Sequence, residues 1–207
     1  MIKPASTINK LIDGKPVTIV ALGDSLTQGW MVSKGYLDFL REMLPINFPK
    51  SSFKLINSGI PGDTADSGLS RLRWDVLHYN PDCVFIQYAI NDAFSGFTER
   101  QFKSTIKGII DKIKENGDAD IVLITSGYIG DNDDNQHVEG FYRQLEILGE
   151  DYGIPVVLTH VYWKKKIREG MPFASLVQYD SVHPTEEGYR LMAEAIMNHF
   201  SCYPPHR

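Results

Sequence analysis

The sequence has little of what would make a 207-residue chain a stapled scaffold, a membrane protein or a nucleic-acid binder. Its two cysteines, Cys83 in an apolar run and Cys202 near the end, are too few and too far apart for a disulfide framework. Cys83 reads as a small core residue. No run approaches the roughly eighteen apolar residues of a membrane helix. Met1-Ile2-Lys3-Pro4-Ala5-Ser6 leads into no apolar signal segment, so the expected location is the cytoplasm. Positive charge is not in excess: 21 Lys and Arg against 26 Asp and Glu leave a net charge of -5. That balance removes the electrostatic case for nucleic acid or an anionic membrane as a partner. Internal repeats, low-complexity tracts and an interdomain linker are also missing, and the length suits one domain over residues 1–207 with its own core.

What the chain does have is alternation. Residues 17–22, 53–57, 83–90, 121–124 and 154–158 are short apolar or β-branched runs that read as strands. Amphipathic stretches separate them. Residues 35–44 have helical spacing up to Pro45, which is expected to stop the helix. Residues 65–79 place Leu69, Leu72 and Val76 on one face, with Asp63 or Thr64 as N-cap. Thr98-Glu99-Arg100-Gln101 is a capping box, and it opens a helix striped by Phe102, Ile106, Ile109, Ile110 and Ile113 that ends at Gly117. Further helices carry Val138, Phe141, Tyr142, Leu145 and Leu148, and then Tyr189, Met192, Ala193, Ile196 and Phe200. Residues 1–16 read as a polar lead-in, 127–136 as a polar loop and 159–179 as a mixed segment. Strands alternating with helices predict an α/β fold, a three-layer α/β/α sandwich around a five-stranded parallel sheet.

In such a sheet, ligands bind just beyond the C-terminal ends of the strands. There the first strand runs into Gly23-Asp24-Ser25-Leu26, the second into a loop holding Gly62, and the third into Asn91-Asp92. Asp180-Ser181-Val182-His183-Pro184 precedes the last helix. A serine hydroxyl becomes a nucleophile when a base takes its proton, and histidine is suited to that at neutral pH. The histidine in turn needs a carboxylate to fix its tautomer, and a three-residue spacing lets Asp180 reach the His183 imidazole. The backbone N–H groups of Ser25 and Gly62 and the amide of Asn91 are candidate donors to a developing oxyanion, with Gly59 as the neighbour that could replace Gly62. Asp24, Asp63 and Asp92 read as braces for loops and caps.

These four blocks, in this order, resemble the SGNH hydrolases, the GDSL-type esterases and lipases. The sequence shows Gly23-Asp24-Ser25-Leu26, Gly62-Asp63-Thr64, Ala89-Ile90-Asn91-Asp92 and Asp180-Ser181-Val182-His183-Pro184, and departs from the pattern at Ala89, where the family has glycine. The resemblance implies a flavodoxin-like strand order 2-1-3-4-5, no metal or other cofactor, and an acyl-enzyme mechanism with Ser25, His183 and Asp180. A small-molecule ester is the implied substrate. With no long apolar lid in the sequence, short acyl or acetyl esters, on a carbohydrate for example, are expected ahead of long-chain lipids. A thioesterase or lysophospholipase, or an inactive carbohydrate-binding relative, is the alternative.

Two metal readings are set against this. Gly62-Asp63-Thr64-Ala65-Asp66 fits one piece of a calcineurin-like phosphoesterase, but the chain has neither the Asp-x-His nor the Gly-Asn-His that such a two-metal site needs. Asp131-Asn132-Asp133-Asp134-Asn135 starts like an EF-hand loop, yet Gln136 stands at the glycine position and Tyr142 at the glutamate position. It reads as a solvated loop. His78, His137, His160, His199 and His206 are read as surface or packing residues, and Tyr128, Tyr162, Trp163 and Tyr179 as aromatics that pack near the pocket.

Overall fold

A computed structural model of the chain describes residues 2–130 and 132–201. Five strands, β1 (Pro16–Gly23), β2 (Ser52–Gly59), β3 (Cys83–Gln87), β4 (Asp120–Ile124) and β5 (Val156–Val157), form one parallel sheet in the order β2-β1-β3-β4-β5. That is the strand order the resemblance implied. Alternate residues of each strand serve opposite layers. Ile19, Ala21, Phe85 and Val122 face α1 (Ala5–Ile12), α3 (Tyr36–Asn47), α8 (Thr159–Arg168) and α9 (Glu186–Phe200). Val20, Leu22, Val84 and Ile86 face α4 (Ala65–Asp75), α6 (Glu99–Asn116) and α7 (Asn132–Tyr152). Both layers are apolar, and the α6 stripe from Phe102 to Ile113 is buried as its spacing predicts. Each such side chain contributes about 1.5–3 kcal/mol by leaving water. Two short helices complete the fold, α2 (Ser25–Gln28) and α5 (Ile90–Phe94).

Several element boundaries differ from the sequence expectation. Pro45 lies inside α3, because burial of Leu40 and Leu44 carries the helix one more turn to Asn47. The polar lead-in contains α1, whose Ile8 and Leu11 are buried and whose Thr7 hydroxyl donates to Asp120 Oδ2 at 2.7 Å. Residues 132–136 are not loop but the first turn of α7, where Asp133 and Asp134 sit at the favourable end of the helix dipole. Asp131 lies outside the described residues. The mixed segment holds α8, with His160 and Trp163 buried on one face. Strand β5 is two residues long, since Pro155 offers the sheet only a carbonyl, to Leu123 N–H at 3.0 Å. Strand β3 stops at Gln87, so Asn91 belongs to α5 rather than to a strand end.

Candidate active site

Ser25 is the first residue of α2, two residues past the last residue of β1. Asp24 makes this sharp strand-to-helix turn by capping α2, its Oδ1 accepting from Leu26 N–H at 2.8 Å. Strand order reverses between β1 and β3, and a crevice opens beyond the strand ends at such a switch point. Ser25 stands there. Directly beneath it α2 crosses β2 so closely that a Cβ on Gly59 would lie 2.3 Å from Gln28 N and 2.8 Å from Asp24 O.

The imidazole arrives from a tight loop between α8 and α9. Val177 and Pro184 form an antiparallel bridge, and Gln178 N–H donates to His183 O at 2.7 Å. Asp180 Oδ1 accepts from the N–H groups of Val182 and His183, both at 2.9 Å, an Asx turn that swings Oδ2 to within 2.6 Å of His183 Nδ1. Burial pushes the Asp180 carboxyl up, but those two N–H donors and the His183 ring more than offset it, leaving the group below the ordinary carboxylate range. An ionised carboxylate only accepts, so the proton sits on Nδ1 and leaves Nε2 as an acceptor. Ser25 Oγ lies 2.9 Å from that Nε2. The hydroxyl, imidazole and carboxylate are thus in one hydrogen-bonded line.

The glycine block is a turn. Ile60-Pro61-Gly62-Asp63 closes with Asp63 N–H donating to Ile60 O at 3.1 Å, and Gly62 has φ +81°, as the third position of a proline-containing type II turn requires. Ile60 N–H donates to Gly23 O at 3.0 Å, which fixes the turn against the end of β1. Asn91 Nδ2 donates one of its two N–H groups to Asp63 O at 2.9 Å, and Asp92 Oδ1 accepts from Ala65 N–H at 2.9 Å. The second and third blocks are therefore stitched together beside the first. The N–H of Gly62 makes no hydrogen bond among the described residues, whereas that of Gly59 is taken by Asn57 Oδ1 at 2.9 Å. Of the two glycines, Gly62 keeps a donor available. Ala89, the departure from the family pattern, takes φ +154°, a conformation easier for glycine, and there the chain leaves the sheet for α5.

The aspartates that looked like braces are braces. Asp63 pairs with Arg71 at 2.7 Å, and Thr64, not Asp63, caps α4. In the phosphoesterase-like piece, Asp63 is thus held by a guanidinium. Among the described residues no group of three His, Cys, Asp or Glu side chains is placed to hold a metal ion. Burial raises the Asp24 carboxyl to about 7, against hydrogen bonds from Leu26 and Gln87, and raises that of Asp92 to about 6. His160 is a packing residue: it stacks on Tyr142, bonds Thr125 Oγ1 at 2.9 Å, and is lowered by burial to about 4. His206 lies outside the described residues. Trp163 is fully buried against Gly127 and Gly188, and Tyr179 is exposed.

Four residues around the site were not singled out from the sequence. Arg71 donates to Gly23 O, Ser58 O and the Tyr88 hydroxyl besides its two carboxylates, binding the ends of β1 and β2 to α4. Gln87, fully buried, accepts from Thr27 Oγ1 at 2.9 Å and faces Asp24 and Ser126. Its signal was a lone amide in an apolar strand, since a buried polar group must find partners. The Trp30 ring stands beside the imidazole, and Gln178 bonds the backbone of Trp30, His183 and Pro184. A cavity of about 550 Å³ lies elsewhere, between Arg73, Trp74, His78 and Lys112, and includes none of these groups.

The GDSL-like Lipase/Acylhydrolase family model matches residues 21–191, from the end of β1 into α9. The chain belongs to this family. The arylesterase of Vibrio mimicus is 27% identical over 183 residues, covering 86% of this chain and 85% of that protein. The acetylxylan esterase of Geobacillus stearothermophilus is 23% identical over 176 residues, 79% of each. The thioesterase 1/protease 1/lysophospholipase L1 of Escherichia coli is 24% identical over 182 residues, 86% of this chain and 80% of that one. The crystal structure of the Geobacillus acetylxylan esterase superposes with a TM-score of 0.81 at 20% identity, covering 92% of this chain and 97% of that one, which establishes the shared fold. Carboxylic ester hydrolysis is accordingly the reaction class of this chain.

Proposed function

We propose that the protein hydrolyses esters of short acyl groups, acetyl above all, through an acyl-enzyme on Ser25. The observation that carries this reading is the line Ser25 Oγ to His183 Nε2 to Asp180 Oδ2, at 2.9 and 2.6 Å. His183 Nε2 takes the proton from Ser25 as Oγ attacks the ester carbonyl carbon. The carbonyl oxygen, now an anion, is met by the N–H groups of Ser25 and Gly62 and the remaining N–H of Asn91; one such donor is worth about 2.7–4 kcal/mol of barrier lowering. His183 then gives its proton to the departing alkoxide. A water activated by the same nitrogen releases the acid and restores Ser25. Asp180 stays ionised throughout and stabilises the imidazolium.

The relatives support the choice of substrate. The acetylxylan esterase removes acetyl groups by its name, and its catalytic mutants replace a serine, an aspartate and a histidine, the last two spaced as Asp180 and His183 are. A thioester or lysophospholipid substrate is the second reading, supported by the Escherichia coli relative. Hydrolysis of p-nitrophenyl acetate by the wild type and by Ser25→Ala, with and without EDTA, tests the mechanism. Loss of turnover in the variant and indifference to EDTA are expected; equal rates for the two proteins would refute it. A p-nitrophenyl ester series from acetate to decanoate decides the acyl length.

A further inference from the structure

Trp30 stands beside the triad in a way that assigns it a task. Its ring centre is 6.2 Å from that of His183, with 39° between the planes. The backbone is pinned to both catalytic segments. Its N–H donates to Ser25 O at 3.1 Å, and its C=O accepts from Gln178 Nε2 at 2.9 Å. Gln178 Nε2 also donates to Pro184 O at 2.9 Å, and the Gln178 N–H to His183 O. On this fixed backbone Trp30 remains 38% exposed, next to the general base. Trp163, by contrast, is buried.

The chemistry says which half of an ester that surface meets. In the acyl-transfer step His183 Nε2 passes its proton to the leaving oxygen, which must come within about 3 Å of that nitrogen. The group carried on the leaving oxygen therefore lies close to the imidazole, whose ring centre is 6.2 Å from that of the indole. The carbonyl oxygen is the part taken up by the candidate donors Gly62 and Asn91. Resting on the esterase reading above, we propose that Trp30 forms the alcohol-side subsite and selects esters whose alcohol carries an aryl ring close to the ester oxygen. Such a ring stacks on an indole at the centre-to-centre separations of about 4.5–7 Å favoured by aromatic pairs. Trp30 discriminates between alcohols and leaves the choice of acyl group to the other side of the site.

Benzyl acetate and ethyl acetate share an acyl group and have alcohols of similar acidity, so their ratio of kcat/KM reads the ring. In Trp30→Ala that ratio is expected to fall about five- to tenfold, chiefly through KM for the benzyl ester. Trp30→Phe, which keeps a ring, should recover most of it. The ratio of ethyl acetate to ethyl butyrate should move far less than the alcohol ratio. An unchanged benzyl-to-ethyl ratio in a folded Trp30→Ala protein that still turns over ethyl acetate overturns the assignment alone, as does a shift confined to the acyl series. Absence of hydrolysis of both acetates by the wild type overturns the esterase reading and this inference together.

Discussion

Asp24 is a carboxyl with 1% exposure immediately before Ser25, and replacing it by asparagine isolates the cost of its charge. Asparagine keeps the cap, because its side-chain oxygen accepts from Leu26 N–H as Asp24 Oδ1 does, and it gives up only a long 3.4 Å contact with Gln87. Burial raises the folded-state carboxyl from 3.8 to about 7. Between those values the folded chain binds a proton that the unfolded chain has released, so stability falls as pH rises from about 4 to about 7 and is level above that. At about 1.4 kcal/mol per pKa unit, the wild type loses up to about 3 kcal/mol between pH 5 and pH 8 on this account, and Asp24→Asn loses none of it. Asp92, raised to about 6, titrates in both proteins and largely cancels in the difference. Urea denaturation of the two proteins at half-unit steps from pH 5 to 8 measures that difference. A stability gap that widens in favour of Asp24→Asn with rising pH is expected; a gap constant across the range would refute the reasoning.

Gly59→Ala should cost about 1–3 kcal/mol, because a methyl there meets the backbone of α2, and it should lower kcat as Ser25 moves; melting and p-nitrophenyl acetate assays check both. Arg71→Ala strands Asp63, whose side chain is only 14% exposed, and frees the ends of β1 and β2, an expected loss of about 3–5 kcal/mol by denaturation. Arg71→Lys should rescue little, since an ammonium cannot serve five acceptors in a fixed plane. Asp180→Asn is expected to lower kcat on the order of 10³–10⁴-fold, through loss of the tautomer that leaves Nε2 free.

The strands and the main helices were legible because apolar runs and amphipathic stripes carry their own periodicity, as the stripe from Phe102 to Ile113 does, whereas the strand order came from the family resemblance. Elements whose burial depends on a distant partner were not. Helix α8 looked mixed because its buried side rests on His160 and Trp163, and Pro45 fails to stop α3 because Leu40 and Leu44 hold the helix to the core. The five candidate residues could be read from the strand ends and the family pattern, and the structure brings Ser25, His183 and Asp180 into one line. Gly62 and Asn91 are joined through Asp63 beside β1. The supports of the site were illegible. Arg71 is one more polar residue on a helix until the fold puts two strand-end carbonyls in front of it, and Trp30 is one more loop aromatic until His183 arrives from 153 positions later.

The central claim is that Ser25 is the nucleophile and His183 its base. Stoichiometric treatment with a fluorophosphonate, followed by peptide mapping by mass spectrometry, tests it most directly. The account predicts a single adduct on the peptide carrying Ser25, absent from Ser25→Ala and formed far more slowly in His183→Ala. An adduct on another residue, or equal labelling of Ser25→Ala, would contradict it.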